Sequence, residues 1–289
     1  MIRRIAVNGR TVEISDDGPS TAPAIVLLHG FTGAKGGWRT LRRTLVPRRR
    51  VVAVDLPGHG GTAASAEPAA DSLAGTARLV VQSLDSIGVP RFSLLGYSLG
   101  GRVALGLALD HPRRVERLLL ESASAGLHDA AEREARRRDD EALAERLERD
   151  GIEAFVRHWE ALPLFATHAR LPAPVRAELR RRRLACSPAG LAASLRALGA
   201  GAQPWVGDRL GELAIPVCIV VGALDEKFRA IGGRMADRLA DARLETVPGS
   251  GHTPHLERPE IYRTIVERFF GVVDFKKEEA RVDSMADGS

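Results

Sequence analysis

Apolar positions along this chain follow two rhythms. Short, nearly continuous apolar runs at Ala24–Leu28, Arg50–Val54 and Ile215–Gly222 have the pattern of strands buried on both faces of a parallel sheet. Between such runs, Trp38–Leu45, Asp71–Ile87 and Val103–Leu109 carry apolar residues at helical spacing. Further strands are predicted from Phe92, at Val115–Leu120 and at Arg243–Val247, with a closing helix over Pro254–Phe270. At the N-terminus, Ile2–Val7 and Thr11–Ile14 flank Asn8-Gly9, which predicts a two-stranded hairpin with a tight turn. Strands alternating with helices of this length predict an α/β fold built on a doubly wound, mainly parallel sheet.

The rhythm breaks at Gly126. From there to about Trp205 the chain is rich in arginine and glutamate, helical in pattern and without a convincing strand. Residues 126–205 are therefore expected to form a helical cap inserted into a core made of residues 1–125 and 206–271. The charged, small-residue stretch 272–289 reads as a disordered tail. No internal repeat is visible.

Composition narrows the class. The 289 residues are 44% hydrophobic, enough for a substantial core. No segment approaches the roughly 18 uninterrupted apolar residues of a membrane span. The first residues, Met1-Ile2-Arg3-Arg4-Ile5, lack the apolar region of a secretory signal. Cys186 and Cys218 lie far apart with no metal-ligand spacing, so neither a disulfide framework nor a zinc site is indicated, and a cytoplasmic protein is expected. The net charge of +5 could suggest nucleic acid, but basic and acidic residues are interleaved, as in Glu145-Arg146-Leu147-Glu148-Arg149, which is the pattern of a solvated helix face. With four lysines among 42 basic residues, arginine dominates, and arginine is the side chain that grips carboxylates bidentately.

The candidate chemistry centres on Gly96-Tyr97-Ser98-Leu99-Gly100, which joins an apolar run directly to a helical segment. This strand–turn–helix setting is that of a nucleophile elbow: the serine hydroxyl is lifted above the sheet edge at a helix N-terminus. Downstream, Asp225 follows one predicted strand and His252 follows the next, giving the order Ser98, Asp225, His252 that resembles the α/β-hydrolases. His252 can take the serine proton while Asp225 fixes its tautomer. The loop His29-Gly30-Phe31 after the strand Ala24–Leu28 stands where such enzymes supply their second oxyanion donor, so the backbone N–H groups of Phe31 and Leu99 are the expected pair. Asp55 and His59, in Asp55-Leu56-Pro57-Gly58-His59-Gly60-Gly61, are expected to fix their own loop. His29 and His111 read as structural, and His255 as a structural or rim residue.

Four segments together resemble one narrower family: Asp55–Gly61, Gly96-Tyr97-Ser98-Leu99-Gly100-Gly101-Arg102, the Trp159-x-x-Leu-Pro-Leu-Phe165 run and Asp225-Glu226-Lys227-Phe228. The chain is similar to the MenH family, the 2-succinyl-6-hydroxy-2,4-cyclohexadiene-1-carboxylate synthases of menaquinone biosynthesis, from about Ala24 to Phe270. The resemblance implies a pyruvate-eliminating lyase rather than a hydrolase, with the triad acting as a base. It implies a small polycarboxylate substrate and hence cationic partners: Arg102 in the elbow helix, Arg183, and either Arg136 or Arg133. Tyr97 and Trp159 would be pocket walls. No metal spacing, P-loop or dinucleotide fingerprint occurs, so no cofactor is expected, nor a nucleic-acid or membrane partner. A monomer or small homo-oligomer is expected. Two other functions fit the residues less closely. One is a serine carboxylesterase or C–C bond hydrolase working through an acyl-enzyme; the other is a non-catalytic binding protein on the same fold.

Overall fold

Alternate residues of a single strand reveal the architecture. In Ala24–Leu28 (β3) all five residues are buried. Ile25 and Leu27 enter one apolar cluster, while Val26 and Leu28 enter another on the opposite face. A strand covered on both sides in this way has no polar face, which is why its sequence shows no alternation. The computed structural model describes residues 1–272.

The remaining strands are Ile2–Val7 (β1), Arg10–Asp17 (β2), Arg50–Val54 (β4), Phe92–Tyr97 (β5), Val115–Glu121 (β6), Val217–Gly222 (β7) and Ala242–Val247 (β8). They form one eight-stranded sheet in the order β1-β2-β4-β3-β5-β6-β7-β8. The hairpin β1–β2 and the pair β2–β4 are antiparallel, and every other pair is parallel. Asn8 and Gly9 both have positive φ, the geometry of a tight hairpin turn that matches strand twist. Leu73–Asp85 (α1) and Leu99–Asp110 (α2) supply Leu84, Val103 and Leu107 to the cluster on one face. On the other, Arg39–Leu45 (α3) and Pro259–Phe269 (α4) contribute Leu41, Leu45, Tyr262 and Val266.

Between β6 and β7 the regular elements are all helical: Ala130–Glu160 (α5), a 3-10 segment at Pro163–Arg170, Ala173–Leu184 (α6), Pro188–Leu198 (α7) and a 3-10 segment at Gly207–Glu212. The long α5 is two helices joined at a kink, because Gly151 takes φ 80° and ψ 176°. This layer has its own apolar cluster, including Leu147, Phe155, Val156, Leu191 and Leu195, and Phe31 from the loop after β3 packs against it. His168 ties the layer to the sheet end, its Nε2 lying 2.6 Å from Thr253 Oγ1 beside His252.

Some boundaries differ from the sequence expectation, three of them instructively. The closing helix is split into Pro254–Glu257 (α8) and α4, because Pro259 denies Arg258 helical geometry. Asp71 instead closes a 3-10 turn, Pro68–Asp71, and α1 begins only after Ser72, whose side chain caps it by accepting from Gly75 N–H. Val272, placed in the expected tail, is 5% exposed and packs on the core beside Phe270. The rest of that tail, 273–289, lies outside the described residues.

Candidate active site

The ends of β5, β7 and β8 converge at one point. Ser98 stands between β5 and α2 with φ 50° and ψ −109°, a strained conformation for a residue with a side chain. Its N–H donates to Glu121 O at 2.8 Å. A Cβ on Gly96 would collide with the Gly100 backbone, and one on Gly100 with the carbonyls of Leu28 and His29. The two glycines flanking Ser98 are thus demanded by close backbone packing.

His252 lies in the loop after β8, and its Nε2 is 3.2 Å from Ser98 Oγ. Its Nδ1 is 2.7 Å from Asp225 Oδ2. A carboxylate only accepts, so Nδ1 carries the proton and Nε2 is left with its lone pair towards the serine hydroxyl. His252 is 2% exposed and Asp225 7%. Asp225 also caps the helix Glu226–Ala236 (α9) by accepting from Phe228 N–H, which fixes the carboxylate. Phe228 in turn packs against the His252 ring at 4.5 Å between centroids. The loop itself is stapled by Glu257, which accepts from Gly251 N–H, Thr253 N–H and Thr253 Oγ1–H. Burial opposes the charge on Glu257, but these hydrogen bonds outweigh it and hold the carboxyl below its usual range. Glu257 carries no signal in the sequence, where it looks like an ordinary helix residue; Phe228 belongs to the Asp225–Phe228 segment, but nothing in the sequence gives it this contact.

Phe31 and Leu99 line the same cavity as Ser98, and among the described residues neither amide is drawn into a turn or loop hydrogen bond. The arrangement can accept a proton at Ser98, store it on His252 and meet a developing oxyanion with two N–H groups.

The cavity above Ser98 has a volume of about 470 Å³. Tyr97 and Trp159 line it, as do Arg102 and Arg136. Arg102 Nη1 donates to Gln203 Oε1 at 3.2 Å. Burial, and then the charge of neighbouring Arg136, push Arg102 down to about 10, so it remains a cation at neutral pH. Arg136 is held through its Nε by the buried carboxylate of Asp140 at 2.8 Å. Gln203 and Asp140 carried no signal in the sequence; one lies in a small-residue loop, the other in a run of mixed charges.

Two arginines are not brought to this cavity. Arg133 donates to the carbonyls of Leu127 and His128 at 2.7 and 2.6 Å, and so braces the start of α5. Of the two candidates left open in that segment, Arg136 alone reaches the cavity wall. Arg183 is buried behind Phe165, with its guanidinium 5.3 Å from the ring centroid and an ion pair to Glu160 at 3.3 Å. It borders a neighbouring cavity of about 70 Å³, which shares Phe31, Tyr97 and Phe165 with the larger one.

Three other histidines near the site have partners of their own. His29 Nδ1–H donates to Gly30 O at 2.8 Å and its Nε2 accepts from Leu56 N–H at 3.0 Å. Asp55 accepts from Lys35 N–H, Lys35 Nζ and Gly61 N–H, while His59 Nδ1 lies 3.0 Å from Pro57 O. His255 pairs with Glu121.

A sheet of this order, an elbow after β5 and a Ser–His–Asp relay at its carboxyl edge define an α/β hydrolase. A family model described as alpha/beta hydrolase fold matches residues 23–259. A Bacillus subtilis (strain 168) protein, named provisionally as a 2-succinyl-6-hydroxy-2,4-cyclohexadiene-1-carboxylate synthase, is 38% identical over 262 residues, covering 91% of this chain and 95% of its own. The synthase of that name from Serratia proteamaculans (strain 568) is 33% identical, over 89% of this chain and 96% of its own. The solved structure of MenH from S. aureus aligns with a TM-score of 0.85 at 33% identity, covering 90% of this chain and 97% of that one. The chain belongs to the MenH synthase family of α/β hydrolases.

Proposed function

We propose that this chain is a 2-succinyl-6-hydroxy-2,4-cyclohexadiene-1-carboxylate synthase, a lyase of menaquinone biosynthesis. It eliminates pyruvate from 2-succinyl-5-enolpyruvyl-6-hydroxy-3-cyclohexene-1-carboxylate. Ser98 Oγ takes the ring proton α to the succinyl carbonyl as His252 Nε2 takes the hydroxyl proton, and Asp225 steadies the imidazolium. The enolate oxygen that develops is met by the N–H groups of Phe31 and Leu99. The electron pair moves round the ring and the bond to the enolpyruvyl oxygen breaks, leaving the 2,4-diene. No acyl-enzyme forms.

The observation that carries this reading is the cavity itself: a serine–histidine base at one end, and Arg102 and Arg136 in the wall. An esterase has no need for two cations beside its nucleophile, whereas a tricarboxylate does. On this reading residues 126–205 act as a cap over the core 1–125 and 206–271. The enzyme works without a cofactor, in the cytoplasm, as a monomer or small homo-oligomer. The test is to supply the enolpyruvyl cyclohexene and follow pyruvate, with Ser98→Ala alongside. Release by the wild type that is lost in the variant supports the synthase; rapid ester turnover without pyruvate release replaces it with the acyl-enzyme hydrolase.

A further inference from the structure

The substrate proposed above carries three carboxylates, yet only two arginines line the cavity over Ser98 among the described residues. The third cation in the wall is Lys227. It stands in the first turn of α9, two residues after Asp225, and so projects from the end of β7, two strands along the sheet from the elbow on β5. Lys227 is exposed, and among the described residues its ammonium has no ion-pair partner. The contrast with Lys35 is direct, since that ammonium is held by both Glu13 and Asp55. Arg136 has Asp140, and Arg102 has Gln203. Lys227 is the wall cation most available to a ligand.

The chemistry of the substrate says which carboxylate it suits. Its succinyl and enolpyruvyl groups sit on ring carbons 2 and 5, at opposite corners of the six-membered ring. With the proton on carbon 2 presented to Ser98, the two groups must extend in different directions. The ring and succinyl carboxylates stay with the product; the enolpyruvyl carboxylate leaves. Arg102 and Arg136 lie close enough for one charge to depress the other, and both are anchored by protein partners, which suits anions that are held throughout. An exposed lysine is a hydrated point charge on a flexible stem, and it can hold a carboxylate without trapping it.

Resting on the synthase reading, we infer that Lys227 binds the carboxylate of the enolpyruvyl group and draws it towards the open side of the cavity. When the carbon–oxygen bond breaks, its electron pair passes to the departing pyruvate enolate, which then takes a proton from water. Lys227 keeps its own proton throughout and assists by charge alone.

The experiment compares wild type, Lys227→Gln and Lys227→Arg in pyruvate release, together with inhibition by the diene product, which retains the ring and succinyl carboxylates only. Lys227→Gln should raise KM about tenfold while the inhibition constant of the diene stays within about twofold of wild type, and Lys227→Arg should recover most of the loss. An unchanged KM in Lys227→Gln overturns the assignment. So does a rise in the diene constant in step with KM, since Lys227 would then serve a retained carboxylate or only the general field. If wild-type protein releases no pyruvate, the synthase reading has failed and the assignment falls with it, an outcome distinct from an active enzyme indifferent to Lys227.

Discussion

Two acid–histidine pairs stand three residues apart in this fold, and at first sight they are equivalent. His252 Nδ1 meets Asp225 at 2.7 Å; His255 Nδ1 meets Glu121 at 2.7 Å. Both acids lie at strand ends and both are buried, Glu121 completely. The difference is what surrounds the rest of each ring. His252 presents Nε2 to the Ser98 hydroxyl. The His255 ring instead packs at 4.9 Å from Trp38 and 4.8 Å from Tyr97, and Glu121 Oε1 also accepts the His255 backbone N–H. Glu121 further gives its own carbonyl to Ser98 N–H. The second pair therefore works as a brace, tying the elbow to the histidine loop. An acid–histidine dyad becomes a base only where the far nitrogen meets a proton to take.

The sharpest way to break the comparison is to remove one acid at a time. Asp225→Asn should lower kcat for pyruvate release by about 10³–10⁴-fold with little change in melting temperature, because the amide favours the wrong imidazole tautomer. Glu121→Gln should cost less than about tenfold in kcat and instead lower stability by about 1–3 kcal/mol, because a buried hydrogen-bond partner is weakened. Steady-state kinetics and urea unfolding of the two variants separate the roles; equal kinetic losses would erase the distinction. Next in size is Arg102→Ala, expected to cost about 2–4 kcal/mol of transition-state binding through a lost carboxylate partner. An unchanged kcat/KM would show that the substrate anions lie elsewhere.

A smaller effect comes from the histidines that touch no proton relay. Burial, reinforced by nearby His29, pushes His59 down to about 3, so it is neutral in the fold. The unfolded chain takes up a proton on this residue below about pH 6.5, whereas the folded chain does not. Stability from this residue is therefore complete above that pH and is lost as pH falls towards 3. Between pH 7 and pH 5 His59 alone should remove about 2 kcal/mol from the unfolding free energy. Urea titrations at the two pH values test this; a flat profile would mean that His59 takes a proton within the fold.

How much of this was legible in the sequence follows from where each residue stands. Ser98 directly follows the buried strand β5, Asp225 comes three residues after the buried β7, and His252 stands in the loop after β8, so the order of strands read along the chain places them along one edge. That Asp55 and His59 serve their own loop, though it follows β4 on the same edge, was also legible, since that loop offers its own backbone donors. The arginines were harder. Arg133 and Arg136 lie one helical turn apart on α5, and only packing against the loop around Gly201 decides which faces inward; Asp140 accepts Gly201 N–H at 3.1 Å and holds Arg136 with its other oxygen. The family resemblance points to Arg183 as a cavity residue, but the 3-10 segment Pro163–Arg170 sets Phe165 in front of it, and no periodicity encodes that turn. Lys227 passed unmarked within Asp225–Phe228 because an exposed lysine after a helix cap looks like ordinary surface.

The most direct test of the distinction between the two dyads is kcat/KM for pyruvate release by His252→Ala and His255→Asn measured side by side with wild type. The account predicts a loss of at least about 10³-fold for His252→Ala and of less than about tenfold for His255→Asn among folded protein. Comparable losses in both, or a greater loss at His255, would contradict it.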